Sequence, residues 1–394
     1  MSRVALFPFV SGGVLAHLGA CLSVGEALQA RGHEVFVGVD EPQEQFVATA
    51  GLQSVRVAEI PHGRLRPDDI GVYRDGAEIV DCTRADIAVL EQLRPDAAVI
   101  DVRGSAALAA ETLGIPHLSL IHQMAWSGAW RDPHPWRRRA RWIRRPQRAG
   151  AFVRLMLDPD PLGVKAVRRA WAEARGLLGL APASSLFETG NIACATTPTL
   201  DPMPALPERW RWVGPITWSA PGDPIERGGR PLVYVTQGST GDASTLRRAV
   251  QELASAPVDI LVSTGGLCSP DELNALAPNV SARRLVSGRA AMEAADVAVV
   301  HGGHFTTLEA HLAGTPVVVI PLGYDQFLWA DRVERLGTGI SLREPYLRGA
   351  IRRSALRLIR RGRYRRAAEG IAAELRQWDG PGATADFVED LLRA

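Results

Sequence analysis

Short apolar runs alternate with segments of helical periodicity along both halves of the chain. The apolar run 3–10 is followed at 17–32 by a segment whose apolar residues recur every three to four positions, and then by a second run at 33–39. Apolar runs of this length are typical of parallel strands buried on both faces, and the periodic segment is typical of a helix. The pattern predicts a strand–helix–strand unit.

The same alternation recurs further along the chain. Residues 95–104, 105–114 and 115–122 repeat the order strand, helix, strand. A second series begins with the apolar run in 230–240. It continues with a helix near 244–255 and then with apolar runs at 258–264, 294–303 and 315–321. Alternating strand and helix signals predict parallel sheets covered by helices on both faces. The predicted fold class is therefore α/β, with two Rossmann-like parallel-sheet domains facing each other across a cleft.

A proline- and glycine-rich stretch without apolar periodicity separates the two series. We interpret residues 216–229 within it as an interdomain linker. The predicted domains are then 1–215 and 230–380, and a final helix is expected over 381–394. Open α/β sheets bind ligands outside the carboxyl ends of their strands, so a ligand is expected in the cleft, facing both sheets.

Composition and charge exclude several classes of protein. The 394 residues are 46% hydrophobic and carry a net charge of only +2, so the balance of charge does not favour nucleic acid. No apolar stretch approaches the ~20 residues of a membrane span, and His17 interrupts the apolar core that a signal peptide requires. The cysteines are too far apart for a metal or redox motif, which favours the cytoplasm. They are Cys21, Cys82, Cys194 and Cys268.

A histidine and two glycines stand between an apolar run and the next helical segment. His301, Gly302 and Gly303 follow the run 296–300, and a helix is expected to open at Thr306. Glycines let backbone N–H groups approach a ligand, and the start of a helix offers unpaired N–H groups and partial positive charge. Such a turn suits a phosphate, although an ordinary strand–turn–helix connection has the same pattern.

Residues 301–339 resemble the nucleotide-sugar signature of the UDP-glycosyltransferases, inverting enzymes of the GT-B fold, in their bacterial natural-product type. The matching positions are His301-Gly302-Gly303, Thr306, Glu309-Ala310, Gly314-Thr315-Pro316 and Asp325-Gln326. Phe305 departs from the pattern, because the family usually has glycine there. Its bulky side chain must point away from the phosphate, or the turn must differ. In this fold the last helix often crosses back onto the first domain.

The resemblance implies a donor site in the second domain. His301 and Thr306 would contact the pyrophosphate together with backbone N–H groups of Gly302 and Gly303. The segment 236–240 resembles the family's first phosphate-side loop in this domain, which adds three residues to the site. They are Gly238, Ser239 and Thr240.

The resemblance also assigns the nucleoside and the sugar. Glu309 would accept hydrogen bonds from the ribose hydroxyls, because a carboxylate can accept two. Asp325 and Gln326 would hold hydroxyls of the transferred sugar, and Val286 falls where the family packs the base. The donor would be a UDP- or dTDP-sugar, which serves as a co-substrate rather than a cofactor.

The family's general base is a histidine at the start of the first helix. Its usual Gly-His-x-x-Pro is absent here, because Ala16 and Ala20 replace the glycine and the proline, but His17 keeps the register of the base. Asp101 ends an apolar run where the family places the carboxylate that orients the imidazole. His17 could instead be a capping or surface histidine, and Asp101 could be only a helix cap.

The sequence gives weaker indications of a metal site and of an acceptor site. The Asp-x-Asp at 158–160 lies among prolines and is interpreted as a turn, so no metal is expected. His122, Trp126 and Trp130 fall where the family builds part of its acceptor pocket. The basic, tryptophan-bearing stretch 130–148 could face a membrane or a lipid-linked acceptor, or it could be a solvated helix.

The resulting hypothesis is an inverting, metal-independent glycosyltransferase. It would move a sugar from the donor to a hydroxyl of a small, mostly apolar natural product, with His17 as base and Asp101 behind it. A nucleotide-sugar 2-epimerase of the same fold and a nucleotide-sugar-binding partner protein without turnover remain alternatives, as does a lipid or peptidoglycan-precursor acceptor. A homodimer is left open.

Overall fold

A computed structural model gives the fold of the chain as two compact units. The first contains residues 1–218 and 379–394, and the second contains residues 219–378. The structure describes residues 1–10, 15–60, 73, 75–122, 164–185, 189–202, 205–219, 222, 224–238, 241–322, 324–343 and 346–394. Of residues 164–166, 324 and 325 only the backbone is described.

Seven parallel strands form the sheet of the first unit, in the spatial order β3-β2-β1-β4-β5-β6-β7. They are β1 Arg3–Pro8, β2 Glu34–Val39, β3 Gln53–Arg56, β4 Ala97–Asp101, β5 His117–Ile121, β6 Asn191–Cys194 and β7 Trp210–Trp212. The central strands β1 and β4 are almost wholly buried, as their uninterrupted apolar sequences predict. The order reverses between β1 and β4, which is where open α/β sheets bind ligands.

Helices cover this sheet. They are Ala16–Ala30, Glu44–Thr49, Gly76–Leu93, Gly104–Thr112, Val164–Leu177 and Gly380–Arg393, with a 3₁₀ turn at Glu41–Gln43. The last of them crosses back to the first unit and packs against helix Ala16–Ala30. Asp379 caps its start by accepting a hydrogen bond from the backbone N–H of Gly382 at 3.0 Å.

Six parallel strands form the sheet of the second unit, in the order β10-β9-β8-β11-β12-β13. They are β8 Leu232–Thr236, β9 Asp259–Ser263, β10 Val280–Arg283, β11 Val297–Val300, β12 Val317–Val319 and β13 Gly339–Ser341. The covering helices are Ala243–Ala254, Pro270–Asn274, Gly288–Ala294, His304–Ala313, Tyr324–Leu336, Ala350–Arg360 and Arg363–Leu375. The strand order reverses here between β8 and β11, so both units have the topology expected from the sequence.

The boundary between the units lies inside the predicted linker. The second unit begins at Ser219 rather than at residue 230, because side chains before β8 already pack on it. The hydroxyl of Ser219 donates a hydrogen bond to Glu309, and Ile225 packs against the core that includes Leu232. Among the described residues, none of the helices combines the length and the apolar character needed to cross a membrane.

Candidate functional site

Three neighbouring strands of the first sheet deliver polar side chains to one edge. Asp101 is the last residue of β4, and His122 directly follows β5. His17 is the second residue of the helix that follows β1. Because β1, β4 and β5 are adjacent and parallel, their carboxyl ends meet, and the three side chains converge.

The carboxylate of Asp101 lies between the two imidazoles. His17 Nδ1 is 3.0 Å from Oδ1 of Asp101, and His122 Nε2 is 2.8 Å from Oδ2. The Asp101 side chain is fully buried, whereas the His17 side chain is 24% exposed. With Asp101 ionised, each histidine donates an N–H to one carboxylate oxygen, which fixes both tautomers. For His17, the nitrogen that can exchange a proton with a substrate is then Nε2.

The electrostatics of this cluster keep Asp101 ionised. Burial by itself would raise the pKa of Asp101, but the charges and hydrogen bonds of His122 and His17 lower it to about 2. The carboxylate therefore stays negative across the physiological range and can stabilise an imidazolium at His17. The three groups also offer metal-ligand atoms within 4.8 Å of one another. In this structure, His17 Nδ1 and His122 Nε2 are both hydrogen-bonded to Asp101.

A buried ion pair anchors the loop that follows Asp101. Arg103 Nη2 lies 2.7 Å from Oδ1 of Asp86, and both side chains are almost completely buried. Ser105 Oγ donates to the same carboxylate at 2.6 Å, and the Tyr73 hydroxyl donates to Ser105 Oγ at 3.0 Å. Burial raises the pKa of Tyr73 to about 12, so its hydroxyl remains a donor. This network stabilises the polypeptide within two residues of Asp101.

In the second unit, His301 packs between two glycines at the ends of neighbouring strands. Gly238 lies two residues after β8, and a Cβ there would come within 2.7 Å of the imidazole ring. A Cβ at Gly303 would overlap the same ring. The two glycines therefore let the backbone of both loops close on His301. Each loop also follows the carboxyl end of its strand, where the sequence predicted the phosphate-side contacts.

His301 is held as a neutral imidazole. Its side chain is almost completely buried, and burial lowers its pKa to about 4. Its Nδ1 has no hydrogen-bond partner among the described residues. A neutral ring can still donate an N–H to a phosphate oxygen, but it brings no positive charge at neutral pH. The N-terminus of helix His304–Ala313 adds partial positive charge beside it.

Glu309 is the second ionisable group near this edge. Burial raises its pKa to about 7, and the hydrogen bond that it accepts from the hydroxyl of Ser219 opposes this increase. Ser219 also accepts a hydrogen bond from the backbone N–H of Arg289 at 3.3 Å. The carboxyl group therefore titrates closer to neutral pH than an exposed glutamate does, and a donor of hydrogen bonds would favour its ionised form.

Phe305 is accommodated without strain. The helix begins at His304, two residues earlier than expected at Thr306, so Phe305 already has helical backbone. The left-handed conformation that the turn needs is taken by Gly302, with φ of +90°. The Phe305 ring lies edge-on to His304, with the ring centroids 5.7 Å apart. The departure from the family pattern therefore falls at a position that does not require glycine.

The other predicted donor residues are placed as follows. Gln326 is buried, and its Oε1 accepts a hydrogen bond from the backbone N–H of Leu322 at 2.7 Å. Val286 is partly buried against the core of the second unit, and Thr306 is partly buried in the first turn of its helix. Several predictions lie outside the described residues. They are Ser239, Thr240, Trp126, Trp130, the side chain of Asp325, the Asp-x-Asp at 158–160 and the basic stretch 130–148.

The sequence did not predict the placement of three residues near these edges. His122 was expected to line an acceptor pocket, whereas its side chain is buried and bonded to Asp101. Ser219 was assigned to the linker, yet its hydroxyl contacts Glu309. Gln237 is fully buried, and its side-chain amide has no partner among the described residues. The signal for His122 and Gln237 was available, because they lie toward the carboxyl ends of the predicted runs 115–122 and 230–240.

Comparisons with known proteins agree with the signature at 301–339. Residues 247–391 match the family model described as erythromycin biosynthesis protein CIII-like, C-terminal domain. The chain is 29% identical over 378 residues to the PGL/p-HBAD biosynthesis rhamnosyltransferase of Mycobacterium bovis (strain BCG / Pasteur 1173P2), covering 91% of this chain and 81% of that protein.

Solved structures share the two-unit architecture. The glycotransferase of kitacinnamycin superposes with a TM-score of 0.75 at 22% identity, covering 99% of both chains. The glycosyltransferase VinC, solved in complex with DTDP, superposes with a TM-score of 0.71 at 21% identity, again covering 99% of both chains. These likenesses confirm the GT-B fold. The family model over residues 247–391 and the likeness to the rhamnosyltransferase support a glycosyltransferase of the UDP-glycosyltransferase superfamily, in its natural-product type.

Proposed function

We propose that this glycosyltransferase inverts the anomeric centre of a UDP- or dTDP-sugar while transferring the sugar to a hydroxyl of a small apolar molecule. The observation that carries the proposal is the hydrogen bond between His17 Nδ1 and Asp101, at 3.0 Å. It leaves a partly exposed imidazole, backed by an ionised carboxylate, at the edge of the first sheet. The natural-product type of the family and the DTDP complex of VinC support the choice of donor.

In this proposal the first unit activates the acceptor. His17 Nε2 removes the proton from the acceptor hydroxyl as that oxygen forms a bond to the anomeric carbon. The bond between the anomeric carbon and the diphosphate oxygen breaks, and its electron pair leaves with the nucleotide. A single displacement of this kind inverts the anomeric configuration. The negative charge of Asp101 stabilises the imidazolium formed at His17.

The second unit binds the donor in this proposal. The neutral ring of His301, the backbone around Gly302 and the start of helix His304–Ala313 would contact the diphosphate. Glu309 would accept hydrogen bonds from the ribose hydroxyls. The leaving nucleotide then meets helix N–H groups and a neutral donor, so no cation from the protein is needed at that position.

The test is nucleotide release with and without an acceptor. Release of UDP or dTDP only in the presence of an apolar hydroxyl compound, with a product of inverted anomeric configuration by NMR, is the expected result. Epimerised or hydrolysed donor without acceptor would favour the 2-epimerase alternative. Tight donor binding with no release under any condition would favour the binding-protein alternative.

The affinity for the donor should depend on pH through Glu309. Because burial raises the pKa of this carboxyl to about 7, its ionised fraction falls as the pH is lowered from 8 to 6. Binding of an intact nucleotide-sugar should weaken by about tenfold over that range, as the charged acceptor is lost. An intact nucleotide-sugar is the right probe, because its diphosphate has no ionisation near pH 6. Glu309→Gln should bind weakly and independently of pH, and an unchanged pH dependence in this variant would contradict the assignment.

Turnover should survive metal chelation. In the proposed mechanism His17 and His122 face Asp101 through hydrogen-bonded nitrogens, and the diphosphate is bound without a cation. An excess of EDTA should leave the rate unchanged, whereas added Zn²⁺ should inhibit by competing for the imidazoles. Loss of turnover with EDTA, restored by Mg²⁺ or Mn²⁺, would contradict the metal-independent mechanism.

His122 should act as a positioning residue through Asp101. Its hydrogen bond at 2.8 Å takes up part of the charge of the carboxylate. In His122→Leu that charge acts on His17 alone, so the imidazolium of His17 forms more readily. The acid limb of the pH–rate profile should then move to higher pH. His122→Gln retains an N–H donor and should restore the wild-type profile. A lower rate with an unchanged acid limb would show that His122 contributes only packing and does not act through the charge of Asp101.

A further inference from the structure

The second unit carries an unusually dense run of arginines without compensating acids. Between residues 345 and 368 there are nine arginines and neither aspartate nor glutamate. The whole chain, by contrast, is nearly neutral, with 45 basic and 43 acidic residues. The run covers helix Ala350–Arg360, the turn after it and the start of helix Arg363–Leu375.

Eight of these arginines are exposed, and we call them the arginine surface. They are Arg348, Arg352, Arg353, Arg357, Arg360, Arg361, Arg363 and Arg366. Arg365 is partly buried and differs from them, because it donates to the backbone carbonyls of Ala295, Asp296 and Gly314. The arginine surface is therefore the solvent side of helices whose apolar side chains are already buried in the core.

The recorded partners of the arginine surface are neutral. Arg352 donates to Ser255 Oγ at 3.3 Å, and Arg353 donates to the backbone carbonyl of Arg348 at 3.2 Å. Arg363 donates to the hydroxyl of Tyr364 at 2.9 Å. Among the ion pairs that the structure describes, none includes a member of this surface. Its positive charge is thus uncompensated within the described part of the unit.

The fold does not account for Arg352 and Arg353. Arg357 and Arg360 lie in the last turn of their helix, where cations interact favourably with the helix dipole. Arg352 and Arg353 lie near its first turn, where the same dipole repels them, and that turn has no acidic residue. Arg353 and Arg357 are also four residues apart, a spacing at which like charges destabilise a helix. The charges of Arg352 and Arg353 are therefore unfavourable to their own helix, whereas an external anionic surface would stabilise them.

An exposed leucine stands beside the arginines. Leu347, directly before Arg348, is 79% exposed and is the most exposed large apolar side chain among the described residues after Met1. Gly349, in the left-handed conformation with φ of +77°, is the N-cap of helix Ala350–Arg360. Basic side chains around a protruding apolar one suit the interface of a bilayer, where the charges meet headgroups and the apolar group enters the acyl boundary. A nucleic acid would offer such a leucine no comparable environment.

We propose that the arginine surface, with Leu347, is a peripheral docking site for an anionic phospholipid bilayer. The contact is electrostatic and reversible, and it involves the second unit. It would hold the enzyme at a membrane where apolar acceptors concentrate. Binding to the bilayer does not depend on the proposed transfer reaction, so the two can fail separately.

Co-sedimentation of the full chain with vesicles tests the proposal. Binding is expected to phosphatidylcholine vesicles that contain about 30% phosphatidylglycerol and not to phosphatidylcholine alone. It should weaken strongly as the salt concentration rises from about 0.05 to about 0.5 M, because the exposed charges are screened. The triple variant Arg352→Gln, Arg353→Gln and Arg357→Gln should bind about 100-fold more weakly, at about fivefold per arginine.

Matched variants separate the surface from total charge. Arg84→Gln, Arg169→Gln and Arg209→Gln together remove the same charge from exposed arginines of the first unit, and binding should be retained. Leu347→Ser should weaken binding to vesicles, whereas Leu177→Ser, at a side chain 64% exposed, should not. Equal loss in both triple variants would overturn the proposal. So would binding to double-stranded DNA of the same charge density with no binding to vesicles.

Discussion

His17→Ala is expected to lower turnover by about 10²–10⁴-fold, the range typical of a positioned general base. The imidazole is held by Asp101 at 3.0 Å and contacts Phe9 edge-on, with the ring centroids 5.8 Å apart, so its orientation is fixed before an acceptor arrives. Removing it takes away the imidazole nitrogen that would accept the proton of an alkyl hydroxyl. Steady-state rates with an alkyl alcohol acceptor and a saturating donor provide the measurement.

The controls for this variant separate chemistry from binding. Donor affinity measured by calorimetry should stay nearly constant, because the proposed donor contacts lie in the second unit. Asp101→Asn should cost less than His17→Ala, since the imidazole remains. A phenolic acceptor, which loses its proton more easily, should reduce the penalty of His17→Ala. Near wild-type rates with an alkyl alcohol would require a different base.

Asp86→Ala is expected to lower the free energy of unfolding of the first unit by about 3–5 kcal/mol. The substitution removes the carboxylate that pairs with the guanidinium of Arg103, and both groups are buried. Arg103 would then keep a buried charge, and Ser105 would lose the acceptor of its hydroxyl. For a unit of this size the first thermal transition should fall by roughly 10 °C, which calorimetry can follow.

The same helix provides a matched control. Asp81 pairs with Arg84 at 3.3 Å, but both side chains are more than two-thirds exposed. Asp81→Ala should therefore change stability by no more than about 0.5 kcal/mol. Replacing both buried partners, in Asp86→Leu with Arg103→Met, should recover part of the loss, because no charge is left without its partner. A wild-type transition temperature for Asp86→Ala would show that the network adds nothing.

The strands were predictable because buried parallel strands have uninterrupted apolar sequences. Val297–Val300 and Val317–Val319 lie inside the predicted runs, and they are shorter than those runs because most of the flanking residues lie in loops. The helix after β11 was placed two residues late, since Phe305 was treated as part of the turn. Sequence alone did not show that Gly302 already provides the one left-handed position that the turn needs.

Contacts between side chains distant in sequence were harder to predict. His17 and Asp101 were paired through the resemblance, and the structure places them in contact. The contact of His122 with the same carboxylate depends on β4 and β5 being neighbours, and a sequence does not state which strands pair. The approach of Ser219 to Glu309 was missed for a related reason, because a segment without periodicity gives no indication of where it packs.

Because helix Gly380–Arg393 belongs to the first unit, that unit is completed only when the end of the chain has been synthesised. Arg31 donates to Asp386 at 2.6 Å and to the carbonyl of Gly382 at 2.9 Å, so the last helix covers one of the first. Residues 219–378, 160 in number, emerge from the ribosome between the two parts. At the usual pace of translation this takes about ten to thirty seconds, during which a nascent first unit lacks its final helix. The first unit is therefore completed last, and a chain truncated after residue 378 would carry one complete unit and one that still exposes the face meant for that helix.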